Sequence, residues 1–378
     1  MASASTLWPI FFFSMLLAWL SDYQSVYEFG ILGERIYIRK DKLFFIILLF
    51  SMAVFIGLRI WCNDTSTYRY GYEHSISATG NIFDGISWKL ADSPAFILVN
   101  TILKHMGFSS QDFLMFYSFL TNGLYLWFIR KYSSNIWLSV FLLWTMGIYL
   151  FSAAGMRQAV AISIALIGVD RVLKKKWVFF VIWIIIAALF HPYALMFLMT
   201  PILTFAPWTK WTWILLGTFA VIGFSLQQMV GTILDITSMM GKEYDVNAFS
   251  GEGVNIFRLL VIWSPILIFF IARNYLRCSD DKENNLFINL SMLNAEIMFV
   301  ALFGTANYFA RLANYFLIFQ TLALPWVFKF FDRDSKKFLK ITIFVCYMMY
   351  FLFANVILTP FNTYFEKMSL WDYLLSLF

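Results

Sequence analysis

Two unbroken apolar runs limit what this chain can fold into more than any other feature. "LFFIILLFSMAVFIGL" from Leu43 and "WVFFVIWIIIAALF" from Trp177 contain no charged residue. Helices satisfy every backbone polar group internally, so such runs suit the hydrocarbon of a bilayer. A closed β-barrel would instead alternate over segments of about ten residues. Composition agrees: 61% of the chain is hydrophobic and only 13% charged, about half the charge of an ordinary soluble domain.

The expected fold is a single all-α integral membrane domain, residues 1–378, of about twelve transmembrane helices. Spans are predicted near 7–20, 43–60, 111–129, 135–153, 157–172, 177–190, 193–206, 211–230, 255–273, 285–303, 311–329 and 340–357. Several are shorter than the roughly 20 residues a straight crossing needs. No basic residue precedes the first run, so no cleavable signal is expected.

Charge sets the orientation. Of the 28 Lys and Arg residues, 19 fall in the loops on one side of these spans, leaving 9 on the other. The first side is cytoplasmic by the positive-inside rule, and both termini lie on the outer, periplasmic side. The net charge of +6 is thereby explained without nucleic acid. The outer side holds a long loop at 61–110, whose apolar "PAFILVNTILKHMG" suits an interfacial or half-inserted helix. It also holds a second loop at 231–254 and a C-terminal amphipathic tail at 359–378. The cysteines, Cys62, Cys278 and Cys346, fall at different levels and are not expected to pair.

Arg59, Arg157, Arg258 and Arg311 each stand at the outer end of a predicted span, against the positive-inside bias. Guanidinium groups grip phosphate oxygens bidentately, so four at one depth suit an anion. Snorkelling to headgroup phosphates explains any single one equally well. "AAGMRQAVAISIAL" starts a helix with Arg157 and Gln158, where the macrodipole also favours an anion. In "RIWCNDTSTY", Asp64 is a candidate base or sugar ligand with Tyr68 one turn on; a helix N-cap is the equal alternative.

His191 closes a span directly before Pro192, which biases it out of the helical region. It is a candidate general base, and a bonded structural histidine is the rival reading. "TANYFARLANYF" puts Tyr308, Arg311 and Tyr315 at helical spacing. Glu296, in mid-span, is expected to pair with polar neighbours such as Asn294. "DRD" at 332–334 is read as charge pairing with Lys329 and Lys336. No cluster has metal-ligand spacing, so neither a metal nor any other cofactor is expected.

Taken together, "RIWCNDTSTY", "GMRQAVAISIALIGVDRVLKKKWVFF…LFHPYAL", "ANYFARLANYF" and "ANVILTPFNTYF" resemble the EpsG-like, Wzy-type bacterial polysaccharide polymerases. The chain departs from that pattern at Asn63, where Gly is frequent, and at Tyr193, where a smaller residue is usual.

The resemblance implies a metal-independent glycosyltransferase in the bacterial cytoplasmic (inner) membrane, its active site facing the periplasm. It would polymerise oligosaccharide repeat units of O-antigen, capsule or exopolysaccharide carried on undecaprenyl diphosphate. Its partners would be those lipid-linked donors and acceptors and the membrane lipid itself, with a chain-length regulator and a flippase as candidate protein partners. His191, Arg157, Asp64 and Arg311 would be catalytic. Arg59, Arg258, Gln158, Tyr68 and Tyr308 would bind diphosphate or sugar. A lipid-linked oligosaccharide ligase, a polyprenyl-phosphate-dependent glycosyltransferase, a membrane acyltransferase and an oligosaccharide flippase or transporter remain the alternatives.

Overall fold

A computed structural model describes residues 4–32, 34–239, 253–304, 306–354 and 365–377. The fold is mostly helical, consistent with an all-α membrane protein. Helix α1 (Ala4–Gln24) leads into a hairpin of β1 (Val26–Phe29) and β2 (Arg35–Arg39). Next come α2 (Leu43–Gly57), a short strand β3 (Arg59–Trp61), α3 (Thr65–Tyr70) and α4 (Pro94–His105). The central bundle is α5 (Ser110–Tyr132), α6 (Ile136–Thr145), α7 (Ile148–Ala154), α8 (Met156–Leu173) and α9 (Trp177–Phe190). A 3₁₀ segment, Pro192–Thr204, precedes α10 (Lys210–Phe224), α11 (Leu226–Met239) and α12 (Ile256–Ile271). After α13 (Arg273–Leu276) follow α14 (Lys282–Val300), α15 (Ala306–Ala313), α16 (Gln320–Val327) and α17 (Arg333–Leu352). Strand β4 (Glu366–Lys367) and α18 (Leu370–Leu375) end the chain.

Among the described residues no single helix is long and apolar enough to cross a membrane, although two bent pairs pass together. In one, α6 and α7 meet at 48° across Gly147, whose φ of +80° costs a residue without Cβ little. In the other, α10 and α11 meet at 103°, so the stretch 211–230 is not one straight span. Residues 231–239, expected as loop, continue α11, and 240–252 lie outside the described residues. The stretch 311–329 is likewise broken, between α15 and α16.

Pro192 and Pro201 explain the 3₁₀ segment at 193–206, because neither can donate an α-helical hydrogen bond. The 3₁₀ form rises about 2.0 Å per residue, so these 13 residues reach further than an α-helix of the same length. Asn289 of α14 holds the far end by donating to the carbonyls of Leu203 and Phe205 at 2.9 and 2.8 Å.

The two ends of the bundle differ. α5 runs 23 residues, about 34 Å at 1.5 Å per residue. At its last turn Lys40 donates to the carbonyls of Arg130 and Ser133 at 2.5 and 2.9 Å, placing a cation where the helix dipole favours one. Asp170 pairs there with Lys131 and, at 3.0 Å, with Lys174. The "DRD" acid is an N-cap and no ion pair: Asp332 accepts from the amides of Asp334 and Ser335 at 3.1 and 3.0 Å.

At the opposite end Gln111, in the first turn of α5, donates to Gly57 O at 2.6 Å. The C-terminal tail returns to this end. β4 pairs with β3, and Tyr373 donates to Asp112 at 2.8 Å. Apolar side chains stay exposed along α9, α12 and α17, among them Phe179, Leu260 and Met349. Large apolar side chains exposed in this number suit an apolar surrounding phase.

Candidate active site

The end of the bundle that receives the C-terminal tail carries a cavity of about 500 Å³. It is built where several elements break. α7 stops at Gly155, where a Cβ would meet the Phe151 ring at 2.6 Å, so the turn into α8 closes tightly only around glycine. α8 then starts with Met156, Arg157 and Gln158, and its first helical bond runs from Ala159 N to Gly155 O. The amides of that first turn are left without partners inside the helix.

Three guanidiniums reach this space: Arg157 from α8, Arg258 from α12 and Arg311 from α15. Among the described residues the ion pairs gather on Asp170 at the far end. None joins a carboxylate to these arginines. The Arg157 guanidinium lies 5.9 Å from the ring centroids of both Tyr68 and Phe96. Phe96 belongs to α4, so the apolar stretch of the long loop forms a helix that packs against this end. Arg258 donates to Asn314 Oδ1 at 3.4 Å.

Among the described residues Asp64 supplies the cavity's one carboxylate. It stands at the N-cap position of α3, yet its side chain makes no capping bond. The capping role that the sequence equally allowed is therefore not taken. Tyr68, one turn on, lines the same cavity.

His191 closes α9 with φ −156° and ψ 119°, the extended geometry expected before Pro192. Its Nδ1 lies 2.5 Å from the hydroxyl of buried Tyr315, which fixes the ring in the cavity wall. The other two histidines serve the 61–110 loop: His105 bonds to Thr101 O and Gly80 O, and His74 to Tyr70 O.

Two expected ligands, Arg59 and Tyr308, do not line the cavity, and a third, Gln158, lines it with its amide engaged. Arg59 does not reach the cavity. Its side chain is buried at 1% exposure, bonded to Ile56 O at 2.9 Å, Thr65 Oγ1 at 3.2 Å and Met156 Sδ at 3.2 Å. It is a strut beneath the site, joining the residue after Asp64 to the residue before Arg157. Tyr308 lies beside the cavity, its hydroxyl 3.2 Å from that of Tyr193. Gln158 lines the cavity, but its amide donates to Arg311 O at 2.6 Å, tying α8 to α15.

Sequence reasoning omitted Asn63 and Asn314 from the site, and both line it. Asn314 was detectable, because it follows Arg311 by three residues and shares its face of a helix.

Glu296 is buried in α14. Its neighbour Asn294 donates to Ala313 O at 2.6 Å and accepts from Gln320 at 2.9 Å.

A space lined by arginines and a helix N-terminus, with an aspartate and a histidine in its wall, suits an anion with a proton acceptor nearby. That geometry coincides with the RQ-and-histidine block, and the EpsG family model matches residues 42–373. The chain belongs to the EpsG family. This is the family of Wzy-like polysaccharide polymerases and EpsG glycosyltransferase-like proteins. The match begins just before α2 and ends within α18, so it covers every residue that lines the cavity. No match was found among curated proteins or among solved structures.

Proposed function

We propose that this EpsG-family chain is a Wzy-type polymerase that joins oligosaccharide repeat units carried on undecaprenyl diphosphate. The observation that carries the reading is the arginine cavity. Three guanidiniums that no carboxylate of the described residues pairs with share one space with Asp64 and His191.

An acceptor hydroxyl attacks the anomeric carbon of the donor chain and forms the new glycosidic bond. The bond from that carbon to the diphosphate oxygen breaks, and its electron pair leaves with the lipid diphosphate. Arg157, Arg258 and Arg311, with the amides of the α8 N-terminus, stabilise the charge that develops there. In this reading the guanidiniums fill the role a divalent ion takes elsewhere.

His191 takes the acceptor proton on the nitrogen remote from Tyr315, provided its Nδ1–H donates to the Tyr315 oxygen. Asp64 is the alternative base. Tyr68 offers a face for a sugar ring.

The chain crosses the cytoplasmic membrane about twelve times, with the basic end of the bundle inside and the arginine cavity facing the periplasm. The 19-to-9 division of Lys and Arg supports this orientation. Broken and short spans are tolerated where they line a cavity within the protein.

The test is the product pattern from purified protein in nanodiscs supplied with its cognate lipid-diphosphate repeat unit and EDTA. Polymerisation predicts a ladder of glycan lengths. A single attachment to a different acceptor would identify a ligase. Movement of unaltered substrate across a vesicle membrane would identify a transporter.

A further inference from the structure

The arginine cavity is the first of three adjoining spaces that share lining residues. It shares Phe151, Ala154, Arg258 and Asn314 with an apolar cavity of about 420 Å³. Ile148, Leu150, Ile262, Leu317 and Ile318 line that second space. It shares Tyr350 and Phe353 in turn with an outer groove of about 450 Å³. The groove is formed by Leu260, Val261 and Ser264 of α12 against Cys346, Tyr347 and Met349 of α17.

Its hydroxyl groups turn inward: Ser264 donates to Val261 O at 2.9 Å, and Tyr347 donates to the same carbonyl at 3.1 Å. At its mouth Leu260 and Met349 are 58% and 64% exposed. The sequence of spaces thus runs from an exposed apolar face, through a mostly apolar cavity, to the cationic one. Arg258 belongs to both inner spaces.

We propose that this path is the entry route and seat of the isoprenoid chain of the lipid diphosphate. The chain slides in sideways between α12 and α17, and its diphosphate comes to rest under Arg258. The proposal builds on the reading of the protein as an enzyme of lipid-linked diphosphates.

An amphiphile held in a bilayer brings its head into this polar cavity without exposing its tail only along a continuous apolar track. Dragging the tail through water would cost about 25 cal/mol for each Å² of apolar surface exposed. Bilayer hydrocarbon is as apolar as the cavity lining, so the path adds little affinity. Its effect is to place the diphosphate at the arginines while the tail stays out of water. Other membrane lipid is the competing occupant of the groove.

The groove contains an exposed cysteine, Cys346; of the others, Cys62 is buried and Cys278 is exposed in the loop after α13. In a Cys278→Ser background, a bulky maleimide on Cys346 narrows the mouth without altering the arginine cavity. Leu260→Arg does the same independently, by placing a charge there.

Each is assayed in nanodiscs with the repeat unit on undecaprenyl diphosphate and on a short neryl diphosphate whose tail does not reach the groove. The route predicts about ten-fold or greater loss of kcat/KM with the long carrier, equivalent to 1.36 kcal/mol or more, and little change with the short one. Equal loss with both carriers, or no loss with either, overturns the proposal and leaves the groove to bulk lipid. Unmodified protein that elongates neither carrier refutes the parent reading instead. The route is then decided by a photoreactive prenyl diphosphate: crosslinks concentrated on α12 and α17 peptides uphold it, and crosslinks elsewhere overturn it.

Discussion

Replacing Arg157 by lysine separates charge from geometry at the centre of the proposed site. Arg157 stands in the first turn of α8, exposed to the cavity and over the rings of Tyr68 and Phe96. No carboxylate of the described residues pairs with it, so Arg157→Lys leaves the fold intact and keeps the positive charge. The planar fork is lost, and with it one of two parallel bonds to the diphosphate.

A hydrogen bond to a charged group contributes about 1.5–3 kcal/mol. At 1.36 kcal/mol per factor of ten, that is a fall of about 10- to 150-fold in kcat/KM. The cation–π contact adds at most about 1 kcal/mol at so open a site. The assay is the initial rate of undecaprenyl diphosphate release from the cognate substrate, with thermal unfolding recorded in parallel. Arg157→Ala, which also removes the charge, falls further. A lysine variant that elongates at the wild-type rate with unchanged Tm would remove bidentate recognition by Arg157 from the mechanism.

Four further outcomes follow from the geometry. Tyr315→Phe removes the hydroxyl partner of His191 Nδ1, so the pH–rate profile shifts and kcat falls about ten-fold while KM stays near its original value; an unmoved profile would show that His191 is not the base.

Arg59→Met leaves Ile56 O and the Thr65 hydroxyl without their buried donor, a loss of about 1–3 kcal/mol. It lowers Tm and activity together, and a variant with unchanged Tm would deny the strut. Gln158→Ala frees Arg311 O and loosens α15, raising KM more than it lowers kcat; the reverse pattern would argue that Gln158 acts on the reacting atoms.

Glu283 lies in the first turn of α14, where burial and then Asp281 raise its pKa from 4.5 to about 7. The folded chain keeps a proton there that the unfolded chain releases. This group's stabilisation is therefore complete below about pH 4.5 and is lost as pH rises through about 7. Thermal unfolding across that window should show Glu283→Gln gaining on the wild type as pH rises, and parallel curves would contradict the assignment.

The helical character of the chain was legible because the apolar runs at α2 and α9 leave no other way to satisfy the backbone. Pro192 likewise announced the break at His191, and the "GMRQA" block announced the start of α8. The sequence pattern did not reveal where side chains point at helix exits. Arg59 and Arg157 look alike in sequence, each closing or opening a helix at the same end. Arg59 turns inward because Ile56 O, Thr65 and Met156 offer it partners, and Met156 lies 97 residues away.

Distance along the chain also hid the contact between His191 and Tyr315, and the pairing of β4 with β3 across some 300 residues. The β1–β2 hairpin had a local signal in the alternation around "YEFGILGERIYI", between the first two predicted spans. The 103° turn between α10 and α11 was hidden for a different reason: hydropathy averages over a window and does not sense direction.

The central claim is that glycan transfer occurs at the arginine cavity. The most direct test counts undecaprenyl diphosphate released for each glycosidic bond formed, in nanodiscs with EDTA, for wild type and a folded Arg157→Ala variant. One lipid diphosphate released per bond, with both products lost together in the variant, is the predicted result. A ladder that persists undiminished in Arg157→Ala, or release of lipid diphosphate without bond formation, would contradict the account.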